Sequence, residues 1–483
     1  MTANDNSPSN PMKFRFKKIG PINEAELELG DLTLIAGHNN TGKTYLVYTL
    51  YGFLKMWRVW PDVEYFLTGD EFSRYDPSVR SLIVEGLATE VMELGQARRI
   101  VDWNTLNQER HLLAGAVTHA FSEVALADVF SSPTSAFEGA SIEVALSDDF
   151  PRGSRVVKTT NQAGDTFSVR YDGESLLLAR SGIENRRWDH SETVEYLASL
   201  YLHFLFPELV TTPFVLSAER FGISLFYKEL DFTKNRLVDW LQMMRDDKNR
   251  KRFSPVSLID TFTSRYALPI KDNIDYTRSI ADLERERSAL YEDKLFDDIK
   301  DMMEGYYRSK GDDIQFRSKA RKERSFSIPL HRASSSARGL SDLYFFFRHI
   351  ARDNHLLIID EPESHLDTAN QILLARLLAR CVGAGLRVLI TTHSDYLIKE
   401  INNLIMLSRS FPDKKDVIKK LKYQEDDFLA PESVRAYVAE ESTLRRCEVD
   451  TFGIDMPVFD KTIDQINTAA NELASRLTED VEA

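Results

Sequence analysis

The chain opens on short runs in which polar and apolar residues alternate. Residues 13–16 and 24–29 alternate throughout and are predicted to form two antiparallel strands, joined through Gly20-Pro21. The next run, 32–36, is largely apolar, which is typical of a strand buried on both faces. The chain is therefore predicted to begin with sheet.

Helical spacing replaces alternation between residues 62 and 130. Apolar residues recur at helical intervals, and no strong strand signal interrupts them. The repeating positions are Leu82, Val84, Leu87, Val91 and Leu94. This segment is predicted to be a helical insertion.

Alternation returns in the middle of the chain. Turns at Gly164 and Asp172-Gly173 separate runs that predict an antiparallel meander. The predicted strands are 142–146, 155–157, 167–170 and 176–178.

Three further segments are predicted before residue 310. Residues 192–206 predict a helix, and 213–220 predict a strand that opens into a helix running toward Met244. Residues 280–308 are rich in Glu, Arg, Leu and Tyr and contain no Gly or Pro before Gly305. They predict a long exposed helix or short helical arm.

The composition is that of an ordinary globular protein. The 483 residues are 43% hydrophobic and 28% charged, which is enough for several packed units. No apolar run approaches the roughly 18 residues of a membrane span, and the polar start of the chain is unlike a signal peptide. A cytoplasmic protein without membrane contact is expected. Cys381 and Cys447 indicate neither a disulfide framework nor a cysteine-based zinc site.

The net charge of −14 argues against a protein that coats nucleic acid through its overall field. Two basic stretches, 248–252 and 317–324, leave a local DNA contact open. A solvated surface is the alternative for each of them, since charge runs usually lie at the surface.

A phosphate-binding motif follows the strand predicted at 32–36. Residues 37–44 match G-x-x-x-x-G-K-[ST], and an apolar helical run begins behind them. The glycines let backbone N–H groups and a helix N-terminus face phosphate oxygens, while Lys43 reaches the β- and γ-phosphates and Thr44 holds Mg²⁺. The residues predicted to bind ATP are Gly37, Asn39, Asn40, Thr41, Gly42, Lys43 and Thr44.

Two acids end a second buried strand. The apolar run 355–359 leads into Asp360 and Glu361, which is how a parallel strand delivers carboxylates to the edge of a sheet where ligands bind. We expect Asp360 to hold Mg²⁺ opposite Thr44. Glu361 is expected to polarise the water that attacks the γ-phosphorus.

A further buried strand, 388–392, ends at His393, and Ser364 to Asp367 follow Glu361 directly. In order and spacing these motifs, with 37–44, resemble the ABC-type ATPases of the SMC, RecF and OLD (overcoming lysogenisation defect) group. The resemblance covers the start of the chain and roughly residues 314–407. It implies that His393 contacts the γ-phosphate and that Asp367 closes a loop facing the opposite subunit.

The fold implied by this resemblance is α/β. It is an ABC-type P-loop ATPase head, a mixed sheet plus an antiparallel lobe, with helical insertions and a short C-terminal helical region. The expected segments are a head N-part at 1–60, a helical insertion at 61–135, the antiparallel lobe at 136–225, a helical arm at 226–313, a head C-part at 314–408 and a C-terminal region at 409–483.

Three serines occupy the place of the family's signature motif. The stretch 331–340 resembles the Ser-Ser-Gly-x-x-x-Leu version found in RecF- and OLD-like proteins, with Ser336 where the family usually has Gly. The resemblance implies that Ser334, Ser335 and Ser336 meet nucleotide held by another subunit. A plain serine N-cap at a helix start is compatible with the same residues.

Two other family features are less sharply placed. The family's glutamine loop has three candidates in this sequence, Gln96, Gln108 and Gln162. The stretch 217–220 resembles the Pro-Ala-Glu-Arg stretch of OLD-like and defence-associated ATPases. It implies that Arg220 lies near the nucleotide or at a subunit interface.

In this group ATP joins two heads, because the phosphate loop of one subunit meets the signature of another. The resemblance therefore implies a Mg²⁺-dependent ATPase that forms a homodimer or a larger homo-oligomer through its ATP sites. With short arms and no C-x-x-C hook, the chain is most similar in architecture to compact ATPases of bacterial anti-phage systems, such as PtuA of Septu and some retrons or AriA of PARIS. The implied partner is a separate effector, a nuclease or toxin.

Two rival functions come from the same group. A RecF-like DNA repair or loading ATPase would bind DNA directly. An OLD-like nuclease would carry a metal-binding Toprim domain, whose chemistry needs an Asp-x-Asp pair. The sequence contains no Asp-x-Asp, so no nuclease activity of its own is expected. An ABC transporter subunit is disfavoured because Leu-Ser-Gly-Gly-Gln is missing.

The C-terminal region contains an apolar helical stripe made of Ile463, Ile466, Ala470 and Leu473. Two roles are open for it. It either packs onto the chain's own head or, together with the helical insertions, holds the effector.

Overall fold

The structure is a computed structural model. It describes residues 12–59, 85–146, 154–160, 165–181, 197, 200–209, 211–226, 266–283, 287–290, 295–310, 313–319, 326–353, 355–424, 426–456 and 465–475.

Groups of consecutive strands are separated by helices in the described residues. The strands are β1 Lys13–Ile19, β2 Ile22–Glu28, β3 Leu32–Ala36, β4 Gln96–Ile100, β5 Ser141–Ala145, β6 Arg155–Thr160, β7 Thr166–Tyr171, β8 Ser175–Ser181, β9 Thr212–Leu216, β10 Gly305–Lys310, β11 Asp313–Ser318, β12 Ser327–Pro329, β13 His355–Ile359, β14 Arg387–Thr392, β15 Val434–Glu440, β16 Thr443–Cys447, β17 Val449–Asp450 and β18 Gly453–Ile454. The α-helices are α1 Lys43–Val59, α2 Glu85–Leu94, α3 Trp103–Ala120, α4 Leu126–Val129, α5 Leu268–Leu283, α6 Leu295–Met302, α7 Ser335–Phe345, α8 Thr368–Gly383, α9 Asp395–Met406 and α10 Lys414–Leu421. Residues 200–205, 220–226 and 465–475 are also helical.

A six-stranded sheet with the order β16-β15-β3-β14-β13-β9 lies at the centre. Five neighbouring strands run parallel, and β16 pairs antiparallel with β15. In register, Ile359 pairs with Leu216 on one side and with Ile390 on the other, and Thr392 pairs with Ala36. The carboxyl ends of β3, β14, β13 and β9 therefore meet at one edge.

The central sheet separates two hydrophobic cores. Ile35, Ile358 and Leu389 face the core that α1 covers. The residues that alternate with them, such as Leu34 and Leu357, face the core that α7, α8 and α9 cover. Strands covered on both faces read as continuous apolar runs, so the predictions at 32–36, 355–359 and 388–392 are confirmed.

A three-stranded antiparallel sheet, β2-β1-β5, packs beside the phosphate-binding end of the chain. The predicted β1–β2 pair is confirmed, with Lys13 opposite Glu28 and Ile19 opposite Ile22. With the central sheet and helices, this gives the predicted α/β class with a mixed sheet and an antiparallel lobe.

The predicted meander is divided between two sheets. β6, β7 and β8 pair in sequence, but β5 leaves them and pairs with β1, placing buried Ile142 opposite buried Phe16. Period-two alternation shows which residues face a core and does not encode which strand is the partner. The sequence pattern therefore predicts the strands but not the sheet to which each strand belongs.

One strand lies inside the segment predicted to be helical. β4 follows α2 and pairs antiparallel with β8, at the edge of the sheet β4-β8-β7-β6. Ala97 is its one buried residue, so the strand has almost no hydrophobic signature and depends on pairing with its neighbour. Residues 61–84 of the predicted insertion lie outside the described part.

Of the two alternatives predicted for 280–308, the long exposed helix is wrong. α5 ends at Leu283, α6 covers only Leu295–Met302, and β10 begins at Gly305. Ile280 and Ile299 are fully buried in the second core. Charged residues are dense in the sequence of this segment, and they concealed the buried positions.

Several predicted segments fall partly outside the described residues. The helix predicted at 192–206 is observed over 200–205, and the one running toward Met244 over 220–226. The basic stretch 248–252 and residues 320–324 lie outside. Within the described part of the chain, every helix falls short of the length and apolar character needed to cross a bilayer.

Candidate nucleotide site

The loop between β3 and α1 has a backbone that requires glycine at two positions. Gly37 has φ +146° and Gly42 has φ +94°. A Cβ on Gly37 would lie 2.6 Å from the backbone oxygen of Ala439, and one on Gly42 would lie 2.9 Å from Ile22. These glycines let the loop curl in front of the α1 N-terminus, where free N–H groups favour anions. Asn39 and Asn40 are exposed at its tip.

Lys43 is buried at the first position of α1. Its Nζ donates to the backbone oxygens of Gly37 at 3.0 Å and His38 at 2.8 Å. Burial lowers the pKa of Lys43, while the carboxylates of Glu361 and Asp360 oppose this shift. The loop carbonyls thus hold the Lys43 ammonium group in place. Phosphate oxygens are charged and therefore stronger acceptors, so a bound phosphate can replace the carbonyls as its hydrogen-bond partners.

Thr44 and Asp360 meet across the sheet edge. Thr44 Oγ1 donates to Asp360 Oδ2 at 3.0 Å, and Thr391 Oγ1 donates to Asp360 Oδ1. Burial raises the pKa of Asp360, and the two hydroxyl bonds oppose the shift. A hydroxyl and a carboxylate side by side form a hard oxygen pair of the kind that Mg²⁺ uses beside phosphates.

Glu361 follows with a left-handed backbone, φ +50°. Its Oε1 lies 3.2 Å from Nε2 of His393, and its Oε2 accepts from Ser364 Oγ at 3.1 Å. The hydrogen bond with His393 is the main reason that the pKa of Glu361 is lowered. The carboxylate is therefore ionised at neutral pH, as a general base must be.

Two residues that the sequence did not single out, Thr391 and Glu363, connect the segment of Asp360 and Glu361 to the segment of His393. Thr391 accepts from the Glu361 N–H at 3.0 Å while it donates to Asp360. Glu363 accepts from Thr392 Oγ1 at 2.8 Å and from the backbone N–H of His393 at 2.5 Å. Glu363 comes two positions after Glu361 and Thr391 two positions before His393, so proximity to the predicted residues was the only available signal.

The three signature serines lie at the start of α7. Ser334 is the N-cap, and its Oγ accepts from Ala337 N at 3.2 Å and lies 3.2 Å from Ser336 Oγ. Ser334 is exposed, and Ser335 and Ser336 are half-buried. The N-cap role is therefore confirmed, and the contact with another subunit's nucleotide stays a prediction.

Asp367 is an exposed N-cap as well, at the start of α8. It accepts from Asn370 N at 2.9 Å and from Asn370 Nδ2 at 3.1 Å. A capping side chain has one preferred position, so the loop from Glu361 to Asp367 enters the helix in a fixed direction. Its predicted contact with an opposite subunit also stays a prediction.

Arg220 lies near the site but is buried. Its guanidinium donates to backbone oxygens of Asp360 and Glu361, each at 2.8 Å. It is 3% exposed, so a direct place on a subunit interface does not fit. The prediction that it lies near the nucleotide residues agrees with this position.

The two glutamine candidates among the described residues are not brought to the site. Gln96 lies in β4 and Gln108 in α3, both outside the central sheet, and Gln162 is outside the described residues. Glu219 instead occupies the carboxyl end of β9. It accepts from Tyr48 Oη at 3.0 Å, and its charge raises the pKa of Asp360.

The described residues fit Mg²⁺ and a nucleoside triphosphate. Three features of the described residues show this fit. The buried Lys43 ammonium group donates to loop carbonyls, Thr44 and Asp360 form a hydroxyl–carboxylate pair, and the backbone curls in front of a helix start. Each matches one part of a magnesium-bound triphosphate. Lys43 and the loop would hold the phosphates, and Thr44 with Asp360 would hold the metal.

Comparison with known proteins gives one family match. Residues 167–399 match the family model described as "AAA domain, putative AbiEii toxin, Type IV TA system". The match contains the signature serines, Asp360, Glu361 and His393, and it begins after the phosphate-binding loop. No curated protein matches the chain.

Similar solved structures include heads of SMC proteins. The SMC head bound to the C-terminal winged-helix domain of ScpA is 13% identical, with a TM-score of 0.34 and coverage of 90% of this chain and 96% of that one. The SMC head with an extended coiled coil, bound to the C-terminal domain of ScpA from Pyrococcus furiosus, is 11% identical, with a TM-score of 0.33 and coverages of 95% and 99%. The SMC head domain from Thermotoga maritima is 11% identical, with a TM-score of 0.27 and coverages of 91% and 99%. At these TM-scores no conclusion is drawn from them.

The phosphate loop, the acids of β13 and the family match agree with one another. Residues 167–399 are therefore similar to the AAA domain family, and the phosphate-binding loop precedes the matched segment.

Proposed function

We propose that this chain is a Mg²⁺-dependent ATPase whose nucleotide sites are completed by a second copy, so that ATP drives assembly into a homodimer or larger homo-oligomer. The observation that carries the proposal is the convergence of Lys43, Thr44, Asp360, Glu361 and His393 at one sheet edge. These are the parts that ATP binding and hydrolysis need.

In the proposed reaction Lys43 releases its loop carbonyls and binds the β- and γ-phosphates. Bound Mg²⁺ would neutralise charge that develops on the phosphates. Glu361 accepts a proton from the attacking water, and His393 holds the Glu361 carboxylate at 3.2 Å. Because the left-handed backbone of Glu361 is anchored by Thr391, the base is positioned before substrate arrives.

Assembly is supported by where the signature residues lie. Ser334 at the start of α7 and Asp367 at the start of α8 are both exposed caps. Hydroxyls and N–H groups at a helix N-terminus favour phosphate. A second copy could present them to the γ-phosphate held by the first.

For the output, we infer a separate effector, a nuclease or toxin, regulated by the ATP-bound assembly in anti-phage defence in the cytoplasm. The described helix 465–475 is exposed along its whole length, including Ile466 and Leu473. The described residues of the stripe, Ile466, Ala470 and Leu473, do not pack onto the head, which favours the other role, contact with a partner.

Direct DNA binding, as in a RecF-like ATPase, gains no specific support. Of the basic stretch 317–324, Arg317 donates to Tyr306 and Lys319 pairs with Asp301. Both therefore have local partners at the surface. Nuclease activity of the chain itself is likewise not proposed.

The direct test is binding of a fluorescent ATP analogue and phosphate release. Lys43→Ala should abolish binding, because it removes the ammonium group proposed to bind the phosphates. Lys55→Ala is the matched control, since Lys55 lies on the same helix and pairs with Asp272. Equal binding by wild type and Lys43→Ala would overturn the assignment of the loop.

The output is tested by expressing the chain with the product of its neighbouring gene. We expect the two to co-elute in size-exclusion chromatography and to protect cells from phage, with protection lost in Lys43→Ala. Purified chain that cuts nucleic acid alone in Mg²⁺, unaffected by substitution of Glu361, would contradict a separate effector.

A further inference from the structure

Arg220 clamps the backbone on both sides of Glu361. Its guanidinium donates to the oxygens of Asp360 and Glu361, which belong to the peptide groups flanking that residue, and to Ser217 at 3.0 Å. Glu361 has φ +50°, a conformation that non-glycine residues adopt only when their surroundings hold them. Arg220 therefore fixes the backbone from which the base projects.

Phe221 connects this clamp to α7, the helix that starts at the signature serines. Its ring lies so close to Gly339 that a Cβ there would be 2.0 Å from Phe221 Cε1. The same ring lies 4.7 Å from Arg220 Cζ and 4.1 Å from the ring of His365, in the loop after Glu361. Because protein interiors are close-packed with few voids, α7 cannot shift toward Phe221 unless Phe221 moves as well.

Asp342 faces the same region from one turn further along α7. It is fully buried, and its Oδ2 has no hydrogen-bond partner. Among the surrounding charges it has the largest effect on Arg220. A buried carboxylate with one oxygen left without a hydrogen bond destabilises a fold, so its presence here calls for a role other than stability.

We propose that Arg220, Phe221, Gly339 and Asp342 form a link within one chain through which the position of α7 sets the position of Glu361. Arg220 and Phe221 are positioning residues, which act through the backbone of the base. The inference rests on the proposed function, in which α7 of one copy meets nucleotide held by another. Engagement of α7 at one site would then tune hydrolysis at the other.

Gly339→Ala tests the link because its added methyl group collides with Phe221. We expect kcat to fall by about tenfold, within the 5–150-fold range of typical site coupling. The dissociation constant for fluorescent ATP should stay within about twofold, and the Hill coefficient should fall toward 1. Phe221→Leu in the same chain should restore part of the rate. Gly222→Ala is the control, because Gly222 adjoins Phe221 and has open space around it.

Mixed assemblies separate a link within a chain from a direct effect across the interface. In the same-chain assembly, one copy carries Gly339→Ala and Glu361→Gln and the other is wild type. In the opposite-chain assembly, one copy carries Gly339→Ala and the other Glu361→Gln. Each has one working base. Differently tagged copies and tandem purification would isolate both.

A link within the chain predicts that the same-chain assembly keeps the rate of a wild-type/Glu361→Gln assembly, while the opposite-chain assembly loses about tenfold. If Gly339→Ala acts only through serines that meet the other copy's nucleotide, the ranking reverses, and the proposal is overturned. Equal rates would overturn it as well. Failure of wild type to assemble in Mg²⁺ and ATP would instead contradict the proposed function, and it is measured first.

Discussion

Asp342→Asn should make the protein more stable at neutral and alkaline pH. The Asp342 carboxyl is fully buried, and its one side-chain hydrogen bond, from Ser341 Oγ, is long at 3.5 Å. Burial raises its pKa from 3.8 to about 7, although the charge of Arg220 opposes the shift. Asparagine keeps the shape and cannot ionise, so it removes the cost of a buried charge.

The magnitude follows from the difference in proton binding between the folded and unfolded chain. Below about pH 4 both states hold the proton, and Asp342 has no pH-dependent effect. From about pH 4 to 7 the unfolded chain releases the proton while the folded chain retains it, so the free energy of unfolding falls as pH rises. A shift of about 3 pH units corresponds to about 4 kcal/mol.

Thermal unfolding between pH 5.5 and 8.5 would measure this effect as the Tm of Asp342→Asn minus that of wild type. The difference should increase with pH and level off above about pH 8. Asp275→Asn serves as the control, because Asp275 is 66% exposed and pairs only with Arg278 at the surface. A Tm difference that stays constant across this range would refute a raised pKa. If Asp342→Asn raises stability but lowers kcat, the loss of kcat cannot be due to unfolding, and Asp342 acts in the link to Glu361.

Three other substitutions test the site. Glu361→Gln should keep ATP bound and slow phosphate release by about two to four orders of magnitude, the range for loss of a general base; an unchanged rate would direct attention to Asp367 or His393. Thr391→Val removes the hydroxyl that connects Asp360 to the Glu361 N–H. The free energy of unfolding, measured with denaturant, should fall by about 1–3 kcal/mol, and turnover should slow; wild-type values for both would contradict a role for this hydroxyl. Glu363→Gln should lower kcat with little change in ATP affinity, because Glu363 holds the backbone of His393; a loss of binding instead would place Glu363 on the nucleotide.

The sequence predicted the residues of the site better than the sheets around it. The motifs at 37–44 and 360–361 follow buried strands, and such strands carry their chemistry to a common edge whatever the rest of the chain does. The register that aligns Ile359 with Ile390 is given by the structure alone. Thr391 and Glu363 were missed because their roles depend on contacts between two strands.

The failures share one physical cause, which is that tertiary contacts decided the outcome. β4 has a single buried residue and exists through its pairing with β8. The segment 280–308 carries enough charge to suggest an exposed helix, yet Ile280 and Ile299 are buried. Arg220 and Asp342 lie 122 positions apart, and no periodicity in the sequence connects them.

The central claim, that two copies complete the ATP site, is tested most directly by sedimentation velocity of Glu361→Gln. With Mg²⁺ and ATP this variant should shift from its nucleotide-free mass to a dimer or larger assembly. The shift should vanish when Ser334, Ser335 and Ser336 are all replaced by alanine, while fluorescent ATP still binds. A chain that keeps its nucleotide-free mass with ATP bound, or that assembles equally well without the serines, would contradict the account.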